Sequence, residues 1–434
     1  MIGGCLRCLL KLKQRKVVPG LLCILLTAGP SISQVQPGFF GMHVNKLTSM
    51  PVPVPIGSMR LWDTATNWFQ LCPSSDYSRC DWRHLDDWLA AAKSNGISEV
   101  LYTFGKTPEW VSSEPRGDCW QARPGVCYPP RDLTADGGGT DDAFRRFVEE
   151  IVEHNRRLDP ATYAKIRFWG IWNEPTAKFF WRGTTAQLAR MAKDAQPIIK
   201  KADAAALILT PEPAANSRNN AFSSAGDWLD DYLAKGGGKY ADVIAFHIYA
   251  NNNDGHPVPE DVIKIVESVK AQLTRHPEVA GKPLWITEGS WGRTDQTNWG
   301  HHDEDSAFLI RFYVMIAAEG IERLYWYGWD VPTGTLSANG NALPVANALR
   351  EVHKWLTGRT VTNCRSTSHV WSCDLEASGY QGRIVWDEEY EKTTAYDANP
   401  FSRYRSATGE QKSIDQKAHL LMLGNSPVLL EGPR

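Results

Sequence analysis

The sequence has almost no excess charge. Its 47 lysines and arginines stand against 49 aspartates and glutamates, for a net of -2 with neutral histidines. Nothing there would neutralise a phosphate backbone, so nucleic acid is not an expected partner. After the N-terminal segment no apolar run approaches the ~20 residues of a membrane helix. The triplets at residues 137–139 and 236–238 are loop glycines without the spacing of a phosphate cradle. Beyond the same segment there is no Cys-x2-Cys pair and no His pair at i, i+4, which removes the usual zinc patterns. The run His301-His302-Asp303-Glu304-Asp305 is acidic and His-rich. Adjacent histidines point in different directions, so it reads more simply as an acid-rich helix start, and no metal or cofactor is expected. No Asn-x-Ser/Thr acceptor with a permitted middle residue occurs, and no repeat or low-complexity linker is visible.

What is present begins with a leader. Lys11, Lys13, Arg15 and Lys16 precede an apolar stretch from Val17 to Ala28, and Ser31-Ile-Ser33 offers small residues for cleavage. Residues 1–33 are therefore expected to be a signal peptide, giving a secreted or periplasmic protein with no membrane association once it is removed. Three of nine cysteines (Cys5, Cys8, Cys23) fall in that leader. The other six form close pairs, Cys72/Cys80, Cys119/Cys127 and Cys364/Cys373, which read as local disulfides of an exported chain. Tryptophan is abundant, with 18 in 434 residues. Several lie at strand ends or in loops, where indole faces are suited to stacking on sugar C–H faces.

Over most of the chain, short apolar runs alternate with helical patterns, the signature of a parallel α/β architecture. Strands are expected at residues 38–44, 58–62, 99–103, 166–172, 207–210, 243–249, 283–287 and 323–327. Helices are expected at 82–94, 142–157, 185–202, 261–274, 304–319 and 345–356, each with a periodic apolar face. An unbroken βα series of this length predicts a (β/α)8 TIM barrel over residues 34–352. From residue 353 to 434 alternating runs such as Arg383–Trp386 and Leu420–Leu430 predict a small β-sandwich-like accessory module.

Barrel chemistry sits at the C-terminal strand ends. The fourth strand ends in Trp172-Asn173-Glu174-Pro175 and the seventh in Ile286-Thr287-Glu288-Gly289. Each glutamate closes an apolar strand that has no packing need for a charge. Two carboxyl groups facing each other across a barrel are what glycoside cleavage with retention requires, at about 5–5.5 Å separation.

With these motifs the chain resembles clan A of the glycoside hydrolases, and within it looks most like glycoside hydrolase family 39. Arg60-Leu-Trp-Asp63, Pro108-Glu-Trp110, Phe246-His247-Ile-Tyr249 and Tyr325-Trp-Tyr-Gly-Trp329-Asp330 fall in the matching order. The resemblance implies Glu174 as acid/base with a raised pKa and Glu288 as an ionised nucleophile. It implies Asn173 as donor to a sugar 2-hydroxyl, Tyr249 and Arg60 beside Glu288, Trp329 as the sugar platform, and His247, His43 and Trp110 as substrate contacts. Several of these residues have a second reading. Arg60 also fits an ion pair with Asp63, Tyr249 a barrel layer, and His43 and His247 satisfied core histidines. Trp326 competes with Trp329, because one step of register exchanges the two faces of a strand. Trp110 also fits a loop wedge. The expected reaction is hydrolysis of an O-glycosidic bond in a poly- or oligosaccharide. A transglycosylase using the same glutamates and a non-catalytic carbohydrate-binding barrel are the alternatives. The Cys72/Cys80 and Cys119/Cys127 loops follow strands two and three and are expected to shape the cleft. Sugar identity, exo or endo action and oligomeric state are not legible.

Overall fold

The computed structural model describes residues 33–120, 122–251, 257–292, 302–390, 392–415 and 417–433. The expected leader lies outside them except for its last residue, as does His301.

Nine parallel strands form one sheet. They are β1 (Phe40–Met42), β2 (Ser58–Leu61), β3 (Glu99–Thr103), β4 (Ile166–Gly170), β5 (Leu207–Leu209), β6 (Ala214–Asn216), β7 (Ile244–Tyr249), β8 (Leu284–Ser290) and β9 (Arg323–Trp326). The order β5-β4-β3-β2-β1-β9-β8-β7-β6 leaves β5 and β6 at the two ends. These two are halves of one barrel strand, broken by Thr210-Pro211-Glu212-Pro213. A bridge from Leu209 to Val243 joins β5 to the start of β7, closing the barrel. The sequence reading stopped this strand at Thr210. The prolines explain the break, since neither can donate to a ladder.

Most strand residues are buried on both faces, as a barrel under helices requires, with Arg167 on β4 an exposed exception. Leu101, Phe168, Leu209, Val243, Ala245, Trp285 and Tyr325 fill the barrel interior. Their neighbours point outward against helices. Trp326 packs on Trp291, Phe312 and Tyr313, with ring centroids 5.0, 5.7 and 5.9 Å apart. The helices run Arg83–Ser94, Asp142–Arg157, Thr185–Ala202, Ser224–Ala234, Asp261–Leu273, His302–Ala318 and Pro344–Leu356. The sequence reading passed over Ser224–Ala234.

The C-terminal module starts at Thr360, after the last helix. It pairs a six-stranded antiparallel sheet with a two-stranded one around Val385, Ala398, Phe401, Ile414, Leu423 and Leu430. It is tied to the barrel by Glu260, which accepts from Arg311 at 2.7 and 2.6 Å and from the Trp386 indole at 3.0 Å. All three expected disulfides are present, Cys72–Cys80, Cys119–Cys127 and Cys364–Cys373.

One residue of this scaffold works against it. Asp141 precedes helix Asp142–Arg157 at φ 53°, caps nothing, and holds both carboxyl oxygens buried without a donor. Burial, then the charges of Asp194 and Asp132, push its carboxyl up to about 9. The folded state therefore binds a proton that the unfolded chain releases above its ordinary pKa of 3.8. Stability falls as pH rises from there through about 9. Asn tolerates the left-handed backbone and carries no charge. D141N should leave Tm nearly unchanged at pH 4 and raise it by roughly 2–4 °C at pH 8, measured by calorimetry. An equal shift at both pH values would exclude this account.

Candidate active site

The C-terminal rim of the barrel carries a cleft of about 350 Å³ lined by Trp62, Asp63, Asn173, Glu174, Tyr249, Glu288 and Tyr327, among others. Two local features aim its carboxylates. Along β7 and β8 the register runs Phe246 to Ile286 and then His247 to Glu288, so Thr287 is an extra residue on β8. Strict alternation from the inward Trp285 would turn Glu288 outward, and the bulge turns it into the barrel. Glu174 follows β4 at φ 39°, a left-handed backbone that is uncommon for a non-glycine residue. Its N–H donates to the Glu212 carbonyl at 3.0 Å, and the Glu212 N–H donates to the Trp172 carbonyl at 2.9 Å. The broken fifth strand thus holds the backbone that presents Glu174.

Arg60 is the hub. It is fully buried and donates to Glu288 Oε2 at 2.9 Å, Asn173 Oδ1 at 2.6 Å and Thr103 Oγ1 at 3.1 Å, and also to Glu212 Oε2. Burial opposes its charge, but Glu212 and Glu288 outweigh that and raise its pKa. Its ion pairs are with those two glutamates, so Asp63 is not its partner. Asp63 accepts from the Tyr327 hydroxyl at 2.7 Å instead. Tyr249 donates to Glu288 Oε1, so both oxygens of that carboxylate are held.

His247 is buried with Nδ1 at 3.0 Å from Glu174 Oε1 and 3.7 Å from Glu288 Oε2, and Nε2 at 3.5 Å from Glu212 Oε2. Burial resists its charge, but Glu288, Glu174 and Glu212 overcome this and lift it to about 9, so it is an imidazolium at neutral pH. His43 is the opposite case. Burial first, then the Arg60 charge, lower it well below the usual range. The neutral ring sits with Nε2 at 3.0 Å from the Thr287 carbonyl.

The charges decide what this cluster can do. Arg60 and His247 supply two cations to three carboxyl groups, Glu174, Glu212 and Glu288. One proton held on a carboxyl makes the group neutral. A site that carries one removable proton beside one free carboxylate has the parts of an acid and a nucleophile. The sequence reading put the pKa rise on Glu174 and left Glu288 ionised. For Glu288 the outcome differs: burial raises it to about 7, with Glu174 adding to the rise and His247, Arg60 and Tyr249 opposing it. The cause is its depth within the cleft, where Glu288 is only 6% exposed. Oxygens of Glu174 and Glu288 and a ring nitrogen of His247 lie within 4.8 Å of one another.

The structure brings Asn173, Arg60, Tyr249, His247 and His43 together with the two glutamates. It sets Trp329 apart. That side chain is 2% exposed, below the cleft, and its backbone binds the His43 carbonyl. Tyr327 stands at the cleft wall in its place. Trp326 faces outward. Trp110 lines a separate groove with Phe69 and Arg123, and its indole donates to the Cys72 carbonyl at 3.2 Å. Glu212 was missed. Its signal was a lone charge between two prolines directly after an apolar strand. A larger cavity of about 680 Å³ lies at the N-terminal strand ends beside Gly38, Gly57 and Arg323, and it has no facing carboxylates.

Residues 162–356 match the family model described as glycosyl hydrolase catalytic core. Searching curated protein sequences finds no match. Among solved structures the chain is similar to a family 39 glycoside hydrolase from Bacteroides cellulosilyticus WH2, at TM-score 0.68 and 16% identity over 91% of this chain and 81% of that one. It is also similar to a family 39 β-xylosidase from Caulobacter crescentus, at TM-score 0.57 and 15% identity over 93% and 98%. A bifunctional glucanase-xylanase from a metagenome library aligns at TM-score 0.60 and 15% identity over 92% and 97%. At these identities the structural likeness carries the fold, a TIM barrel with a C-terminal β domain. The family model agrees with a glycoside hydrolase catalytic core, and the solved structures agree with the barrel that carries it.

Proposed function

We propose that this chain is a secreted retaining glycoside hydrolase that cleaves O-glycosidic bonds of an oligo- or polysaccharide. The observation that carries the reading is the pair Glu174 and Glu288, with carboxylate oxygens within 4.8 Å across the cleft. Oxygens this close support retention, for which about 5–5.5 Å between the carboxyl groups is usual, over inversion at about 6.5–9.5 Å.

Glu288 attacks the anomeric carbon while Glu174 gives its proton to the leaving oxygen. Glu174 then takes a proton from a water whose oxygen attacks the anomeric carbon, which breaks the ester bond and frees the Glu288 carboxylate. His247 stands between the two carboxylates and screens their repulsion. Arg60 holds the Asn173 amide oxygen, which leaves the amide N–H groups for a sugar hydroxyl. Export is supported by the N-terminal charge and apolar pattern and by three disulfides. No helix among the described residues is long and apolar enough to cross a membrane. We assign residues 1–33 to the leader, 34–352 to the catalytic barrel and 353–434 to the accessory module.

The test is mass spectrometry after incubation with a panel of 2-deoxy-2-fluoro glycosyl reagents. A one-sugar adduct should map to Glu288 and be absent from E288Q. Turnover with inverted anomeric configuration, or an adduct on another residue, would overturn the reading.

A further inference from the structure

Few large apolar side chains of the described residues are exposed, and the most exposed of them is Trp120, at 64%. It stands at φ 57°, a strained backbone for a bulky residue, on the loop closed by Cys119–Cys127. That loop has its own small core of Cys119, Val126 and Cys127. It is docked on the segment after Glu174, because the Cys127 carbonyl accepts from the Arg182 N–H at 2.7 Å. The Arg182 guanidinium also lies 5.5 Å over the Tyr128 ring. The loop so anchored presents the Trp120 indole to solvent beside the segment after Glu174.

Its neighbours show where it leads. Trp120 meets Phe179 at a ring separation of 5.3 Å, Phe179 meets Phe180 at 4.5 Å, and Phe180 meets Trp62 at 5.8 Å. Phe179, Phe180 and Trp62 line the cleft that holds Glu174 and Glu288. Lys106 Nζ lies 5.6 Å from the Trp62 ring centre and 5.3 Å from that of Phe180, which sets an ammonium donor within the aromatic run. The exposed Trp120 and the half-buried Phe179 and Phe180 offer apolar ring surface, with the Lys106 donor at the cleft end of the row, which fits pyranose rings carrying hydroxyls at their edges.

We infer that Trp120, Phe179 and Phe180, backed by the buried Trp62, form a track for the leaving-group side of a carbohydrate chain, so that the substrate is an oligo- or polysaccharide extending over the Cys119–Cys127 loop rather than a glycoside of a small alcohol. The direction follows from position. Phe179 and Phe180 belong to the segment directly after Glu174, and the acid must stand beside the leaving oxygen. The inference rests on the reading of Glu174 as that acid.

The experiment is calorimetric titration of the full mature chain carrying E288Q, which prevents turnover. The probes are β-linked gluco-, xylo- and manno-hexasaccharides and the matching disaccharides. For the sugar that binds, the hexasaccharide should bind about tenfold tighter than the disaccharide. Adding W120A should remove about that factor from the hexasaccharide and leave the disaccharide within about twofold, while W120F should restore part of it. Trp120 is exposed, so its loss does not disturb the core. Chain-length dependence that survives both W120A and F179A would overturn the track and leave the glycosidase reading standing. Equal affinity for both lengths would do the same. Absence of binding by every sugar would overturn both.

Discussion

E288Q should lower kcat/KM by about 10⁴-fold or more for every substrate, because it removes the atom that forms the covalent bond. E174Q should behave differently. Loss of general acid assistance should cost about 10²–10⁴-fold for substrates with poor leaving groups and far less for nitrophenyl glycosides, whose leaving group needs no proton. The two variants also separate on pH. Glu288 is pushed up to about 7, first by burial and in part by the charge of Glu174. It must be ionised to attack, so activity on an activated glycoside should fall as pH drops through about 7. E174Q removes a neighbouring negative charge, which lowers the Glu288 pKa and moves that acidic limb to lower pH. H247Q removes a cation that lowers it and should move the limb up. Profiles of kcat/KM, which report the free enzyme, decide the point. An acidic limb unmoved in both variants would mean that Glu288 does not set it.

How far this site was legible in the sequence depends on what kind of signal each part left. The barrel was legible because parallel strands buried on both faces are continuous apolar runs, and helices between them keep their period. Glu174 and Glu288 were legible as charges with no packing reason to end those runs. The register that aims them was not. Strand pairing is a non-local property, so the extra Thr287 that turns Glu288 inward leaves no mark in local pattern. The same limit hid the contrast between Trp329, buried beneath the cleft, and Tyr327 at its wall. Glu212 lay outside the reading for another reason. The strand was taken to end at Thr210, whereas the chain resumes it at Ala214 with the glutamate held in the break. The rise of the Glu288 pKa also depends on depth, which only the folded barrel defines.

The second large effect concerns Arg60, and it divides function from folding. R60K keeps a cation but loses the planar fork that reaches Glu288, Asn173 and Glu212 at once. It should lower kcat/KM by about 10²–10³-fold, as misplaced catalytic groups do, with little change in Tm. R60M removes the charge as well. Glu212 and Glu288 then remain buried with only His247 as counterion, and breaking a buried pair in this way costs about 3–5 kcal/mol. For a chain of this size that is a fall in Tm of roughly 4–6 °C. The sign with pH identifies the cause. Without Arg60 the Glu288 carboxyl, already raised by burial, rises further above its unfolded value, so the folded state holds a proton that the unfolded chain gives up. That cost is absent below pH ~4.5 and grows as pH rises toward neutrality. The Tm deficit of R60M should therefore be small near pH 4.5 and largest near pH 8, and E212Q added to R60M should recover part of it at pH 8. A deficit equal at both pH values would show that Arg60 stabilises by packing its stem, and would remove the charge hub from the account of how Glu288 is held.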